Sequence, residues 1–166
     1  MPMRPVLLAA LVALALPVLP ALPAAQDAYP APAPRDGWAV HDSALDFDTL
    51  VAAVKTEAAT QQLGVVTEAG PTGMAASRGI DIPGNRVIGL FNNDYAVRVL
   101  GLSTAAMIEA PVRMYVTEDP DGSATLSYKT PSQVFAPYLD EAGPDLAAAA
   151  AELDAKFDAV ARAAIQ

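Results

Sequence analysis

Apolar residues fill positions 87–91 of RVIGLF, break off at Asn92-Asn93-Asp94, and return at helical spacing in YAVRVL up to Leu100. A continuous apolar run suits a strand covered on both faces, and periodicity alone fits a short buried helix as well. Preceded by the loop GIDIPGN, residues 86–91 read as the central strand, leading into a helix over 94–100 that Gly101 closes. The polar break lies where a buried strand would emerge, a common place for binding groups on a rigid scaffold.

Upstream, Trp38 and Val40 mark a short first strand over 37–42. In DFDTLVAAVKTEAATQQLG, Phe47, Leu50, Val51, Val54 and Ala58 recur at helical spacing, with Asp46 placed to cap the start and Gly64 to stop the end. Val65-Val66-Thr67 reads as a second strand and 73–77 as a short helical turn. At the other end, Gly143-Pro144 puts proline at a first helical position. From there Leu146, Ala150, Leu153, Phe157, Val160 and Ala164 keep one face apolar, while Glu152–Lys156 and Asp158–Arg162 are spaced to pair on the wet side. Helices separated by strand pairs predict an α+β fold, a two-layer sandwich of a mainly antiparallel sheet with helices packed on it.

A hairpin carries the most specific local signal. Val112, Met114 and Val116 alternate with Arg113, Tyr115 and Thr117; beyond Asp119-Pro120-Asp121-Gly122, Ala124, Leu126 and Tyr128 alternate with Thr125, Ser127 and Lys129. Period two is the pattern of half-buried strands, and the proline and glycine suit a type I turn closed by a glycine bulge. Such a turn pairs Asp119 with Ser123. Counting outward then sets Thr117 beside Thr125, Tyr115 beside Ser127, and Arg113 beside Lys129, with both apolar rows on one face. Two cations directly opposite each other are mildly destabilising. A carboxylate of the chain or of a dimer partner, escape into solvent, or a bound anion would relieve them.

Composition narrows the setting. Arg4, the apolar run 6–16 and the small-residue exit Leu22-Pro23-Ala24-Ala25 form the three-part layout of a secretory signal peptide over 1–25. Pro17, Pro20 and Pro23 interrupt it short of the roughly 20 apolar residues a span needs, so no stable membrane anchor is expected after cleavage. The product is expected in the periplasm or outside the cell. Residues 26–37 are a Pro/Ala-rich linker of semi-rigid character, and 38–166 form a single domain of self-sufficient size. The chain has no cysteine, which excludes disulfides, thiolate metal sites and cysteine nucleophiles. Its net charge is −9, and losing the signal removes Arg4 but no acid. So acidic a surface repels phosphate backbones, and nucleic acid is not an expected partner.

VIGLFNNDYAVRVL, then APVRMYVTEDPDG, then LSYKTP, and finally an alanine-rich helix, resemble the domain-of-unknown-function family 302. The resemblance covers nearly the whole chain beyond the linker. It implies a compact two-layer α/β domain that tends to form homodimers, and it brings no established reaction. Members usually place proline after the asparagine that matches Asn92, and some place cysteine before it; this chain has Asn93 and Phe91 there. A thiol-based role cannot be transferred to it.

Residues that could carry chemistry are few. His41 is the sole histidine, and metal sites need several convergent ligands. Asp42 and Ser43 follow it along a strand, where adjacent side chains point to opposite faces and cannot converge into a serine triad. Asp119-Pro120-Asp121-Gly122 lacks the ligand spacing of a calcium loop. Glu118 with Asp119 reads as a solvated pair, and no phosphate-binding or dinucleotide glycine motif occurs. No metal and no cofactor is expected. Asn92-Asn93-Asp94 suits a helix start. If an anion binds beside Arg113 and Lys129, Asn92 is the nominated neighbour, with Tyr115 and Arg98 next. The expectation is an exported, soluble, non-enzymatic module, homodimeric, that binds a small anionic ligand or a partner protein. The alternatives are an enzyme using Asn92, Tyr115, Arg113 and Lys129 as polarising groups, and a purely structural homodimer.

Overall fold

The computed structural model describes residues 29–166; the expected signal, 1–25, and the first residues of the linker lie outside the described residues. Five strands, β1 (Trp38–Ser43), β2 (Gly64–Ala69), β3 (Asn85–Phe91), β4 (Val112–Glu118) and β5 (Ala124–Lys129), form one sheet in the order β1-β5-β4-β3-β2. Every neighbouring pair is antiparallel. The helices are α1 (Phe47–Thr60), α2 (Thr72–Ala76), α3 (Asn93–Leu102), α4 (Pro131–Phe135) and α5 (Leu139–Ala164). The fold is α+β, as the pattern predicts.

The core lies between the sheet and helices α1 and α5. Leu50, Val54 and Ala58 from α1 and Leu146, Phe157 and Val160 from α5 meet Ile88, Met114, Val116 and Leu126 from the strands. These side chains are almost completely removed from water, and each fully buried aliphatic residue contributes roughly 1.5–3 kcal/mol.

The central strand is β4, not β3. β3 lies second from the edge, and its apolar run is closed on the far face by local means. A Cβ on Gly89 would collide with the Thr67 hydroxyl and the Pro111 ring, so only glycine lets β2 and Pro111 close over β3 at that point.

Two glycines do not end the helices assigned to them. Helix α1 starts as expected, with Asp46 Oδ1 accepting from Thr49 N at 2.9 Å. It ends at Gln62, which takes the left-handed conformation (φ 62°), while Gln62 N donates to Ala59 O and Leu63 N to Ala58 O. This is a Schellman ending with Leu63 buried behind it, and Gly64 is left free to begin β2. Helix α3 runs through Gly101 and ends where Ser103 turns extended. In α5, Gly143 (φ 67°) breaks the helix and Pro144 restarts it, so the proline stands where the sequence puts it, with one extra turn before the break.

On the wet side of α5, Arg162 pairs with Asp158 at 2.7 Å. The expected Glu152–Lys156 pair is absent. Glu152 faces α3 and takes Arg98, and Lys156 donates to the Gln61 carbonyl at 2.9 Å, one of the acceptors left at the end of α1.

Candidate functional site

The hairpin turn has the predicted form. Gly122 takes φ 86°, Gly122 N donates to Asp119 O, and Asp119 N donates to Ser123 O. Thr117 therefore pairs with Thr125 and Tyr115 with Ser127. One step beyond the ladder, Arg113 and Lys129 fall side by side on the face turned away from α1 and α5, and both are exposed.

Neighbouring strands extend this row. Trp38 of β1 pairs with Lys129, and Gly89 of β3 pairs with Arg113. The Lys129 ammonium lies 5.9 Å from the centre of the Trp38 ring, and the Arg35 guanidinium lies 5.1 Å from it. A cation over an aromatic face at an exposed site is worth about 0.5–1 kcal/mol, the same order as the repulsion between two exposed charges. The ring thus offsets part of the cost of standing Lys129 beside Arg113. Neither cation has a carboxylate within ion-pair distance among the described residues.

In the next row, Val40, Ser127, Tyr115 and Val87 succeed one another across the sheet. Ser127 has no accessible surface, and its hydroxyl finds no partner among the described residues. Thr117 and Thr125 in the third row are buried too, so β5 is covered on both faces, more fully than its alternation predicts. The Asn85 amide donates to the Tyr115 hydroxyl and ties that ring along β3.

Around the cation pair opens a cleft of about 510 Å³. Trp38, Lys129, Arg113, Tyr115, Val87 and Asn85 line its floor. Glu109, from the 3-10 turn Ala106–Glu109, and Val134 of α4 stand where β4 begins and β5 ends. Glu109 accepts from the Tyr138 hydroxyl at 2.8 Å, which raises the pKa of that hydroxyl above the ordinary value.

A family model for a domain of unknown function, DUF302, matches residues 39–164. The chain belongs to the DUF302 family. The fold of this DUF302 domain is similar to the crystal structure of an uncharacterized conserved DUF302 protein from Bacillus stearothermophilus. The TM-score is 0.70 at 16% identity, over 80% of this chain and 100% of that one. At that identity the likeness concerns the fold. No curated protein matches the sequence.

Two of the five nominated residues stand apart from the cleft of the DUF302 domain. Asn92 caps α3: its Oδ1 accepts from Asp94 N at 2.9 Å and Tyr95 N at 3.2 Å, and its Nδ2 donates to Gln62 O at 2.9 Å. Three of the four hydrogen-bonding positions of its amide are used within the fold, at the opposite end of β3 from Asn85. Arg98 lies on α3, with Nη1 at 2.9 and 3.0 Å from the two Glu152 oxygens. Arg98 and Tyr95 hold the Glu152 carboxyl below the usual carboxylate range. The constellation Asn92–Tyr115–Arg113–Lys129 is therefore not one site; Arg113, Lys129 and Tyr115 share the cleft without Asn92.

Trp38, Asn85 and Glu109 were not foreseen as their companions. Only the pairing of β1 with β5, across about ninety residues of chain, brings Trp38 to Lys129. The other acids singled out in the sequence serve the fold. Glu118 accepts from Gly84 N at 2.6 Å and Asp119 from the Thr125 hydroxyl at 2.7 Å. His41 stacks on Tyr128, with ring centres 6.0 Å apart. Among the described residues no group of three or more His, Cys, Asp or Glu could hold a metal ion, and no helix is long and apolar enough to cross a membrane.

Proposed function

We propose that this DUF302 domain is an exported, non-enzymatic binding module whose recognition site is the cleft around Arg113 and Lys129. One observation carries the reading: cations without an acidic partner gather there. Lys55 and Arg86 share Glu68, Arg98 takes Glu152, and Arg162 takes Asp158. Of the other five described cations, Lys156 is held by the Gln61 carbonyl and Arg78 stands alone in the turn after α2, while Arg35, Arg113 and Lys129, three without an ion-pair partner among the described residues, all stand on or beside Trp38 and its row. In so acidic a chain, a concave patch lined by two cations and a single carboxylate, Glu109, favours a small anion, and the cleft has the size of a small-molecule site. The separation of Asn92 from the cations favours binding over the enzymatic alternative.

The test is a thermal-shift panel of small mono- and dicarboxylates, sulfate and inorganic phosphate on the purified protein. At least one anion is expected to raise Tm, and Arg113→Ala and Lys129→Ala are expected to abolish that rise while folding normally. A panel with no response, or a response that both variants keep, removes the reading.

A homodimer through the same sheet face is the second reading. Arg113 and Lys129 mark one end of that face; Asp42, opposite Thr125, and Asp119 mark the other. Two copies related by a two-fold axis would set the basic end of each on the acidic end of the other. Sedimentation would then show a dimer that weakens with salt.

A further inference from the structure

We infer that the ligand class of the cleft is an aromatic carboxylic acid carrying a polar substituent at the far side of its ring, bound acid-first by Arg113 and Lys129. This rests on the binding reading above and narrows it. Size comes first. A cleft of about 510 Å³ falls within the roughly 300–1,000 Å³ used by organic ligands, whereas a lone inorganic anion would leave most of it unfilled. The lining comes second. Trp38, Val87, Tyr115 and Val134 offer apolar and aromatic surface for a planar body, and the charges are concentrated at one end.

Spacing comes third. Arg113 and Tyr115 lie two residues apart on the same face of β4, about 7 Å along the strand. Asn85, which the Tyr115 hydroxyl meets, pairs with Thr117, four residues from Arg113, so a benzene ring with groups at opposite ends spans the gap once the reach of the arginine side chain is counted. The arginine presents a planar fork suited to a carboxylate, and Lys129 adds a second positive charge beside it. At the other end, the linked Tyr115 hydroxyl and Asn85 amide supply hydrogen bonds for a phenol or amide substituent. Glu109 stands at the same end as the two cations, where its negative charge leaves room for one bound carboxylate and disfavours compact polyacids.

The experiment is calorimetric titration of the purified protein with 4-hydroxybenzoate, benzoate, citrate and inorganic phosphate. Fluorescence of Trp38, the one tryptophan of the chain, reports whether the cleft is the place occupied. The expected order is 4-hydroxybenzoate, then benzoate about fivefold weaker, then citrate and phosphate weaker again, a fivefold step being of hydrogen-bond size. Arg113→Met and Lys129→Met should each weaken 4-hydroxybenzoate about tenfold or more, the loss expected of a charged partner. Asn85→Ala should shrink the ratio of 4-hydroxybenzoate to benzoate affinity from about fivefold toward one, a change in ratio that a damaged fold, weakening both alike, would not produce. Citrate or phosphate binding as tightly as the aromatic acids overturns this inference and leaves the binding module standing. Neither aromatic acid binding, while another anion of the thermal-shift panel does, has the same effect. Silence of both experiments overturns the two together.

Discussion

On the helix-covered face of the sheet, Met114, Val116 and Leu126 have no accessible surface and belong to the apolar core; further along the same strands, on the other face, Arg113 and Lys129 stand in solvent with no described acid within ion-pair distance. The first face is held by burial and tolerates little change in volume. The second is held by the backbone ladder beneath it, so its side chains are free to be costly. Two like charges kept side by side, with only an indole ring as partial relief, are a local expense that the buried face can carry. A surface whose side chains contribute little to folding is one on which recognition can be built.

The largest test of this division is Leu126→Ala. It removes a fully buried side chain from the covered face and should cost about 2–5 kcal/mol in urea denaturation. A loss below 1 kcal/mol would show that the packed layer is not what holds the sheet.

The next concerns Tyr128, which is buried against Phe157 and His41 and belongs to the covered face. Burial, and then the negative charges of Asp158 and Asp154, push its hydroxyl from 10.0 up to about 12. The folded state favours the neutral phenol, so this contribution is complete below pH 10 and is lost as pH rises toward about 12. Stability of the native protein should therefore fall more steeply across that window than stability of Tyr128→Phe. Equal slopes would show that the ring is more hydrated than its burial implies.

The smallest effects are expected on the open face and on the exposed ion pairs. Arg113→Ala and Lys129→Ala should change stability by no more than about 0.5 kcal/mol, and relief of repulsion favours a slight gain. Arg98→Ala breaks an exposed pair with Glu152 and should cost up to about 1 kcal/mol. A large loss in either cation variant of the cleft would mean that the pair is structural, and the contrast between the faces would disappear.

Features decided within a few residues are legible in the sequence. The Asp119–Gly122 turn sets the hairpin register, Asp46 and Asn92 cap their helices, and Pro144 starts the long part of α5. Features decided at a distance were not. Strand order depends on which edge β1 joins, and nothing local to Trp38 announces Lys129 as its partner. The arginines show the same limit. Arg98 resembles Arg113 in sequence, but α5 brings Glu152 to the first and no acid to the second. Glycine misled where another residue could do the same work: Gln62 accepts the left-handed turn because burying Leu63 behind it repays the strain.

The tight loop between β4 and β5 governs chemistry that it never touches. Arg113 stands six residues from Asp119, about 20 Å along an extended strand. The parity of β5 is nonetheless counted from that loop. An insertion of a single amino acid at Asp121 that kept the ladder would shift β5 by one place, setting Tyr128 opposite Arg113, putting Ser127 where the phenol ring now meets Phe157, and turning Lys129 toward the helix-covered side. The charge character of the cleft is therefore written in the length of a distant bend, and loop length there is a variable as consequential as the identity of either basic residue.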